Sequence, residues 1–470
     1  MADSRKKKNL WNFVDNLEGD KVVWMIALML ILLSIVCIFS SSSRLLTGSQ
    51  TRLDIVGGQL VTVLLGLVVI IVCYNIKNLG FFRWVSKWCF LLSVLLLGLL
   101  DLHIKTPFLK AVEINQAWRI LQVSGLQIHV FEVVKVAMVM YLAWAVEKIK
   151  KGPFPFLDSF ETNPHLYWLS TRTAKKIILL YLPFLVIFMM VLPGSNSSAL
   201  FIAIIMFLTI VIGGGEFRDM ALLAAAGVLL LGLSLGIYYV SGKKWLSRIG
   251  TGIERLFGDD EDYVKAVEEN PVGSIEYQEA LDKIRQPYSA KIAVKQGGLL
   301  GKGAGQSRQR YVVPDISEDY MFSFIIEEYG ILGALVVIFL YISLLARGSL
   351  IVRNCGKDLF AKAAVAGLCL LITGQAFLHM FVNVDIGPMT GQTLPLISHG
   401  NSAFLCFSLA FGILLAISRI ASRRMEKEQK AALPLMELHE TVKGLDDLED
   451  FESGNMEEEK NELFTQEYDL

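Results

Sequence analysis

A chain of 470 residues with 54% hydrophobic residues, 19% charged residues and a mean hydropathy of +0.51 is too apolar to be an ordinary water-soluble domain of its length. Its 44 basic and 45 acidic side chains nearly cancel, to a net charge of −1, so the basic surplus of a nucleic-acid binder is absent. The composition describes an all-α polytopic membrane protein. Segments of roughly 20 apolar residues are needed to cross the hydrocarbon core, and about ten satisfy that measure. In chain order they centre on 22–41, 55–76, 82–101, 130–146, 177–192, 198–212, 220–240, 321–345, 361–381 and 403–420. The first run is longer than a secretory signal core and lacks an A-x-A-like site after it, so it reads as a retained span.

Lysines and arginines in short loops resist translocation and so set the orientation. Arg5, Lys6, Lys7 and Lys8 at the N-terminus belong inside, as do Lys148, Lys150, Lys151, Arg172, Lys175 and Lys176. Alternation then places Arg347, Arg353 and Lys357 inside, together with Arg423, Arg424 and Lys427 after the last span, whereas residues 383–401 contain no Lys or Arg. Three parts follow: a cytoplasmic N-terminus (1–21), a ten-span membrane domain (22–422) and an acidic, disordered cytoplasmic tail (423–470) with the run EEEKNE. Residues 241–320 form a large extracytoplasmic loop between helices 7 and 8, in which 243–257 and 277–294 have the near-helical spacing of amphipathic surface helices. The six cysteines fall in spans or an inside loop, so no disulfide framework is expected, and no Cys or His spacing suits structural zinc.

Three polar constellations interrupt the apolar background. In KQGGLLGKGAGQSRQRYVVPDISEDYMFSFIIEEYG, residues 295–330, the glycines and Lys302 do not have phosphate-loop spacing, and Gly303 stands where a magnesium-binding hydroxyl would be. Two readings remain: a flexible turn, or backbone N–H groups brought close to an anion beside Lys302, Arg308 and Arg310. Asp319 reads either as a helix cap or as a general base whose proton affinity is raised by Asp315 and Glu318. Glu327 and Glu328 lie ~12 Å further along the helix axis and must face a cavity or a partner. Glu132 and Lys135 share a helix face in VFEVVKVAMVMYLA, as a self-neutralising pair or as the wall of a headgroup cavity with Arg119 nearby. Finally, VDIGPMTGQTLPLISHGNSAF, 384–404, is a broken segment tolerated beside protein or a wet cavity, or a plain loop.

The stretch 297–330 resembles the SEDS family (shape, elongation, division and sporulation proteins, including FtsW and RodA), whose usual pattern is GGLFGKGxGNSxQRxxLPExxxDFIFAxxxEExG. PMTGQTLPLISHGNSAF is similar to the family's LPxTGxTLPLISYGGSS, and GLQIHVFEVVKVAMVMYLA to its IQPSELAKLALVLYLA. The resemblance implies the ten-span SEDS fold and an inverting peptidoglycan glycosyltransferase of the bacterial inner membrane. Such an enzyme polymerises lipid II, the undecaprenyl-diphosphate-linked disaccharide-pentapeptide, with a class B penicillin-binding protein as transpeptidase partner. It also implies that Asp319 is the catalytic base. Substrate-binding candidates are Lys302, Arg310, Ser307, Arg119, Glu132, Lys135, Glu327, Glu328 and Ser398. No cofactor is implied with certainty, and a divalent cation such as magnesium or manganese is compatible with a diphosphate leaving group.

The chain departs from the pattern at Val130 and Phe131 (Pro-Ser in the family), in PGSNSSA, which lacks an acidic residue, and at His399 and Asn401. The wording of GQTLPLIS and QRYVVP and the charged tail are closer to the division branch (FtsW) of a Bacteroidota-like bacterium than to the elongation branch (RodA). A lipid II flippase and a noncatalytic cell-wall scaffold are the rival readings.

Overall fold

A computed structural model describes residues 18–42, 52–114, 117–152, 154–162, 165–241, 260–313, 316–387 and 389–431. The chain is mostly helical. The helices are α1 (Lys21–Ser41), α2 (Arg52–Asn75), α3 (Leu79–Asp101), α4 (Val130–Lys151), α5 (Arg172–Val191), α6 (Asn196–Ile212), α7 (Phe217–Val240), α8 (Asp260–Glu269), α9 (Ile275–Gly297), α10 (Met321–Asn354), α11 (Leu359–Asn383) and α12 (Asn401–Ala431). Among the described residues seven of them, α1, α2, α3, α5, α10, α11 and α12, are long and apolar enough to cross a membrane. The other three expected crossings also fall on helices. α4 has its apolar run broken by Glu132, Lys135 and Glu147, α6 is 17 residues long, and α7 has 24.

Burial sorts these helices. In α4 every side chain from Val134 to Glu147 is buried, and α12 has 78% of its apolar window buried against 28% for α3. α3 instead turns Trp84, Trp88, Leu91 and Leu95 outward. A water-facing surface does not carry a continuous apolar face of that kind, whereas hydrocarbon does not penalise it. α4, α11 and α12 therefore form the centre of the bundle, with α2, α3 and α7 toward its rim.

Ion pairs define one end of the bundle. Asp20 caps α1 by accepting from the N–H groups of Val22 (3.0 Å) and Val23 (3.2 Å), and its other oxygen accepts from Arg347 Nε at 2.8 Å. Asp358 caps α11 and shares Arg83 with Glu147, which also holds Lys151. Helix-capping carboxylates here do double duty as partners for arginines on neighbouring helices. Residues 1–17, which carry the N-terminal basic run, and 432–470, which carry most of the acidic tail, lie outside the described residues; α12 itself continues past Arg423 to Ala431.

The opposite end carries the elements that counting apolar runs does not reveal. Between α3 and α4 lies an antiparallel three-stranded sheet, order β1-β2-β3, of β1 (Leu109–Ile114), β2 (Ala117–Val123) and β3 (Leu126–His129). Ser124 (φ 49°) and Gly125 (φ 93°) make the two-residue turn joining β2 to β3, with Val123 paired to Leu126. Two successive positive φ values match the right-handed strand twist of a tight hairpin. Of the two amphipathic segments expected in the large loop, 277–294 lies within α9, capped by Ser274, and 243–257 lies outside the described residues.

Candidate active site

Gly330 shapes the entrance to α10. Its backbone (φ 70°, ψ −171°) is non-helical and breaks the helix after Tyr329. An unbroken helix would bond Ile331 N–H to Glu327 C=O and Leu332 N–H to Glu328 C=O. The glycine-rich loop after α9 supplies replacements for all four groups. Lys302 N–H and Gly303 N–H donate to the carbonyls of Glu327 and Glu328, both at 2.9 Å, while Ile331 and Leu332 donate to Gly298 and Leu299 carbonyls at 3.0 and 3.3 Å. Such proximity requires glycine: a Cβ on Gly301 would lie 2.2 Å from the Glu328 carbonyl oxygen, and one on Gly297 2.1 Å from that of Ile326. The segment is a backbone wedge set into a broken helix. Two of the N–H groups that could have faced an anion are thereby used inside the protein.

Glu327 and Glu328 hold the rest of this loop, and both are fully buried. Glu327 accepts from Lys302 Nζ (2.6 Å), from the N–H groups of Arg308 (3.0 Å) and Gln309 (3.3 Å), and from the Ser307 hydroxyl. Glu328 accepts from Ser40 Oγ (2.7 Å) on α1 and from Ser307 N–H (3.3 Å). Arg310, itself buried, donates to the Ser40 carbonyl at 3.0 Å and stacks 4.8 Å from the Tyr311 ring centroid. A buried carboxylate persists only with such compensation. Ser307, Arg310, Glu327 and Glu328 are therefore engaged with one another, and Lys302 remains partly exposed beside them.

Asp319 is partly exposed and lies two residues before α10 begins. The first turn of α10 draws acceptors from α11: Phe322 N–H donates to His379 Nε2 (3.3 Å) and Ser323 N–H to Asn383 Oδ1 (2.9 Å). His379 Nδ1 lies 2.6 Å from the Gln392 carbonyl, so the imidazole is held as the neutral tautomer with its proton on Nδ1. Three consecutive carbonyls ahead of the helix are clamped by the far segment. Ser317 C=O accepts from His399 N–H (2.8 Å), Glu318 C=O from Ser398 Oγ (2.7 Å) and Asp319 C=O from Asn383 Nδ2 (3.0 Å). Gly391 (φ 60°) lies alongside, where an added Cβ would stand 3.5 Å from Asp319 Oδ2. Ser398 is thus a bracket, which also accepts from Leu394 N–H at 2.9 Å.

The second constellation gathers on Lys135. Lys135 Nζ donates to Glu132 Oε1 (2.6 Å), Gln375 Oε1 (2.5 Å) and Gln392 Oε1 (3.1 Å), and lies 5.6 Å from the Phe201 ring centroid. Gln392 in turn donates to Ser198 Oγ at 3.0 Å. Lys135 therefore ties α4, α6, α11 and the broken segment together, while Glu132 Oε2 is buried with no hydrogen-bond partner among the described residues. Arg119 on β2 donates from Nε to the Gly194 carbonyl at 3.3 Å. Burial holds the His129 imidazole below its ordinary value; Glu132 and Glu318 oppose that shift, and Arg119 and Lys135 reinforce it. His129 thus stands where the two constellations meet.

The sequence departures have local partners. Phe131 packs against Gly194, where a Cβ would come within 2.5 Å of its ring; Ser195 caps α6; His399 Nδ1 lies 3.3 Å from Glu318 Oε1; Asn401 accepts from Thr62 Oγ1 at 2.8 Å. Sequence reasoning missed Ser40, Gln375, His379 and Asn383. The last three recur every fourth residue in the apolar helix α11 and so form one polar stripe, a signal visible in GQAFLHMFVN. Among the described residues, no group of three or more His, Cys, Asp or Glu side chains could hold a metal ion.

The bundle and its polar site define a class, a multi-pass membrane protein with a cluster of carboxylates and cations around the start of α10. The chain belongs to the FtsW/RodA/SpoVE family, whose model, described as cell cycle protein, matches residues 20–423. A probable peptidoglycan glycosyltransferase FtsW of Caulobacter vibrioides is 36% identical over 130 residues, 28% of this chain and 33% of that protein. The protein of the same description from Enterococcus hirae is 27% identical over 429 residues, 88% of this chain and 95% of its own length. A solved structure concerned with the coordination of polymerization and crosslinking by a peptidoglycan synthase complex shares the fold, with a TM-score of 0.59 at 20% identity over 86% of this chain and 98% of that one.

Proposed function

We propose that this protein is a peptidoglycan glycosyltransferase that polymerises lipid II at the outer face of the bacterial inner membrane, with both termini cytoplasmic and Asp319 as general base. The observation that carries the assignment is the contrast within one acidic cluster: Glu327 and Glu328 are fully buried in the loop, while Asp319 is partly exposed. A base must reach the proton it removes. The acceptor sugar's 4-hydroxyl gives its proton to the Asp319 carboxylate as its oxygen bonds to the donor's anomeric carbon. The bond from that carbon to the diphosphate oxygen breaks with inversion, and the lipid diphosphate leaves with the electron pair. An anionic leaving group does not need the second carboxylic acid of a glycosidase and instead favours cations. Lys302 and Arg119, both only partly buried, are the accessible candidates, whereas Lys135 and Arg310 act from behind the surface.

A class B penicillin-binding protein is the partner this reading requires, and division is the role that GQTLPLIS, QRYVVP and the charged tail favour. The synthase complex that shares the fold supports such a partnership. The test is conversion of fluorescent lipid II to glycan by the purified protein with its partner. Asp319→Ala is expected to abolish the product while the protein stays folded in detergent. Undiminished polymer from that variant would sink the assignment of the base, and translocation without polymer would favour a flippase.

A further inference from the structure

We propose that His379 is a positioning residue, which sets the spacing between the Asp319 carboxylate and the backbone at Gly391 and Gln392 from one helix away. The proposal rests on the assignment of Asp319 as the base. Helix α10 begins without a cap of its own: Tyr320, at the N-cap position, makes no side-chain cap bond. The first N–H groups of a helix have no acceptor within it. Here α11 supplies them, with His379 Nε2 accepting from Phe322 N–H (3.3 Å) and Asn383 Oδ1 from Ser323 N–H (2.9 Å). The start of α10 is thereby indexed to α11, and Asn383 Nδ2 extends the hold to the Asp319 carbonyl at 3.0 Å.

The same polar stripe grips the segment that faces Asp319. His379 Nδ1 donates to the Gln392 carbonyl at 2.6 Å, and Gln375 Nε2 donates to the Thr393 carbonyl at 3.0 Å. Gln392 is itself anchored by its side chain, between Lys135 Nζ (3.1 Å) and Ser198 Oγ (3.0 Å). Its neighbour Gly391 lies where an added Cβ would stand 3.5 Å from Asp319 Oδ2. Within the stripe, the Asn383 side chain serves the α10 side and Gln375 the Lys135 side, whereas the His379 ring bonds both. A neutral imidazole suits that bridge because it carries one donor and one acceptor on a rigid ring. His379 is buried, so its effect on the reaction passes through the placement of Asp319 and not through contact with the sugar. A leucine there leaves the Gln392 carbonyl and the Phe322 N–H unmatched and removes the link between the two sides. A glutamine offers one amide donor and one amide acceptor and can restore both bonds.

The experiment measures kcat and KM for fluorescent lipid II with the partner complex, together with melting in detergent, for His379→Leu, His379→Gln and Leu371→Ala. Leu371 is fully buried in the same helix and has no part in the bridge, so its variant reports destabilisation alone. Misplacing a reacting group by about 1 Å costs about a hundredfold in rate. His379→Leu is therefore expected to lower kcat by about ten- to a hundredfold with KM unchanged, and His379→Gln to return to within about threefold of wild type. Leu371→Ala should melt lower yet keep its kcat per folded molecule. If the leucine variant does not fold, His379→Asn, polar but too short to span both bonds, takes its place with the same expected loss. Wild-type kcat in the bridge-breaking variant, a glutamine variant as slow as the leucine one, a rise in KM alone, or an equal loss of kcat in Leu371→Ala would each overturn the proposal. Asp319→Ala separates the two claims. Polymer from that variant removes the base itself, whereas an inactive Asp319→Ala beside a fully active His379→Leu removes only the role of His379.

Discussion

Replacing Gly330 with alanine attacks the wedge that carries the loop from Lys302 to Arg310. The residue adopts φ 70°, and an added Cβ would lie 2.3 Å from the Leu299 carbonyl oxygen and 2.5 Å from Gly301 N. Backbone strain of this kind costs about 1–3 kcal/mol. The displaced loop also gives up four backbone hydrogen bonds, each worth about 0.5–1.5 kcal/mol net. The total is about 3–9 kcal/mol if nothing else moves, and about 3 kcal/mol as the loop peels away and water takes over its bonds. Peeling exposes Glu327 and Glu328, whose partners are all on that loop and α1. Thermal unfolding in detergent should fall, and hydrogen exchange at Lys302 and Gly303 should accelerate from strong protection to that of an open loop. Gly303→Ala is the control: φ is 98°, yet the nearest atom to its added Cβ is the flexible Gln306 Cγ at 3.9 Å, so only strain of about 1–2 kcal/mol is incurred. Wild-type melting and wild-type protection in Gly330→Ala would refute the wedge.

Lys135→Met should cost about 3–5 kcal/mol, because Glu132 and two amide oxygens lose their common buried cation. The double change with Glu132→Gln should recover part of that loss. A single variant that melts like wild type would contradict a structural role for the cation. Gly391→Ala adds strain at φ 60° and a methyl group 3.5 Å from Asp319 Oδ2; glycan synthesis should drop about tenfold or more with only a small change in melting. Unchanged kcat would show that the carboxylate does not work in the position described.

Sequence legibility followed the reach of each physical cause. Apolar runs and the spacing of basic residues made the helices readable, because hydrocarbon acts on every span alone, whatever its neighbours. The motif around Asp319 made the acidic cluster readable for the same local reason, its residues being consecutive. The small sheet escaped because residues 109–129 have neither the length of a span nor a strong alternation, and the sheet exists through pairing. The polar stripe of Gln375, His379 and Asn383 was present at helical spacing, yet nothing in the stripe itself says which helix it faces.

What the sequence by itself determined is therefore a helical membrane protein with a charged site before α10 and Asp319 as its candidate base. Only the tertiary structure divided the labour among the charges. Glu327 and Glu328 are separated by 18 to 25 residues from the loop groups they hold, and in Glu328's case also by 288 residues from Ser40. Asp319 is fixed by Asn383, 64 residues away, with Ser398 and His399 clamping the two residues before it. A buried charge takes whatever donors the fold brings within ~3 Å, and that choice is made by packing between distant segments.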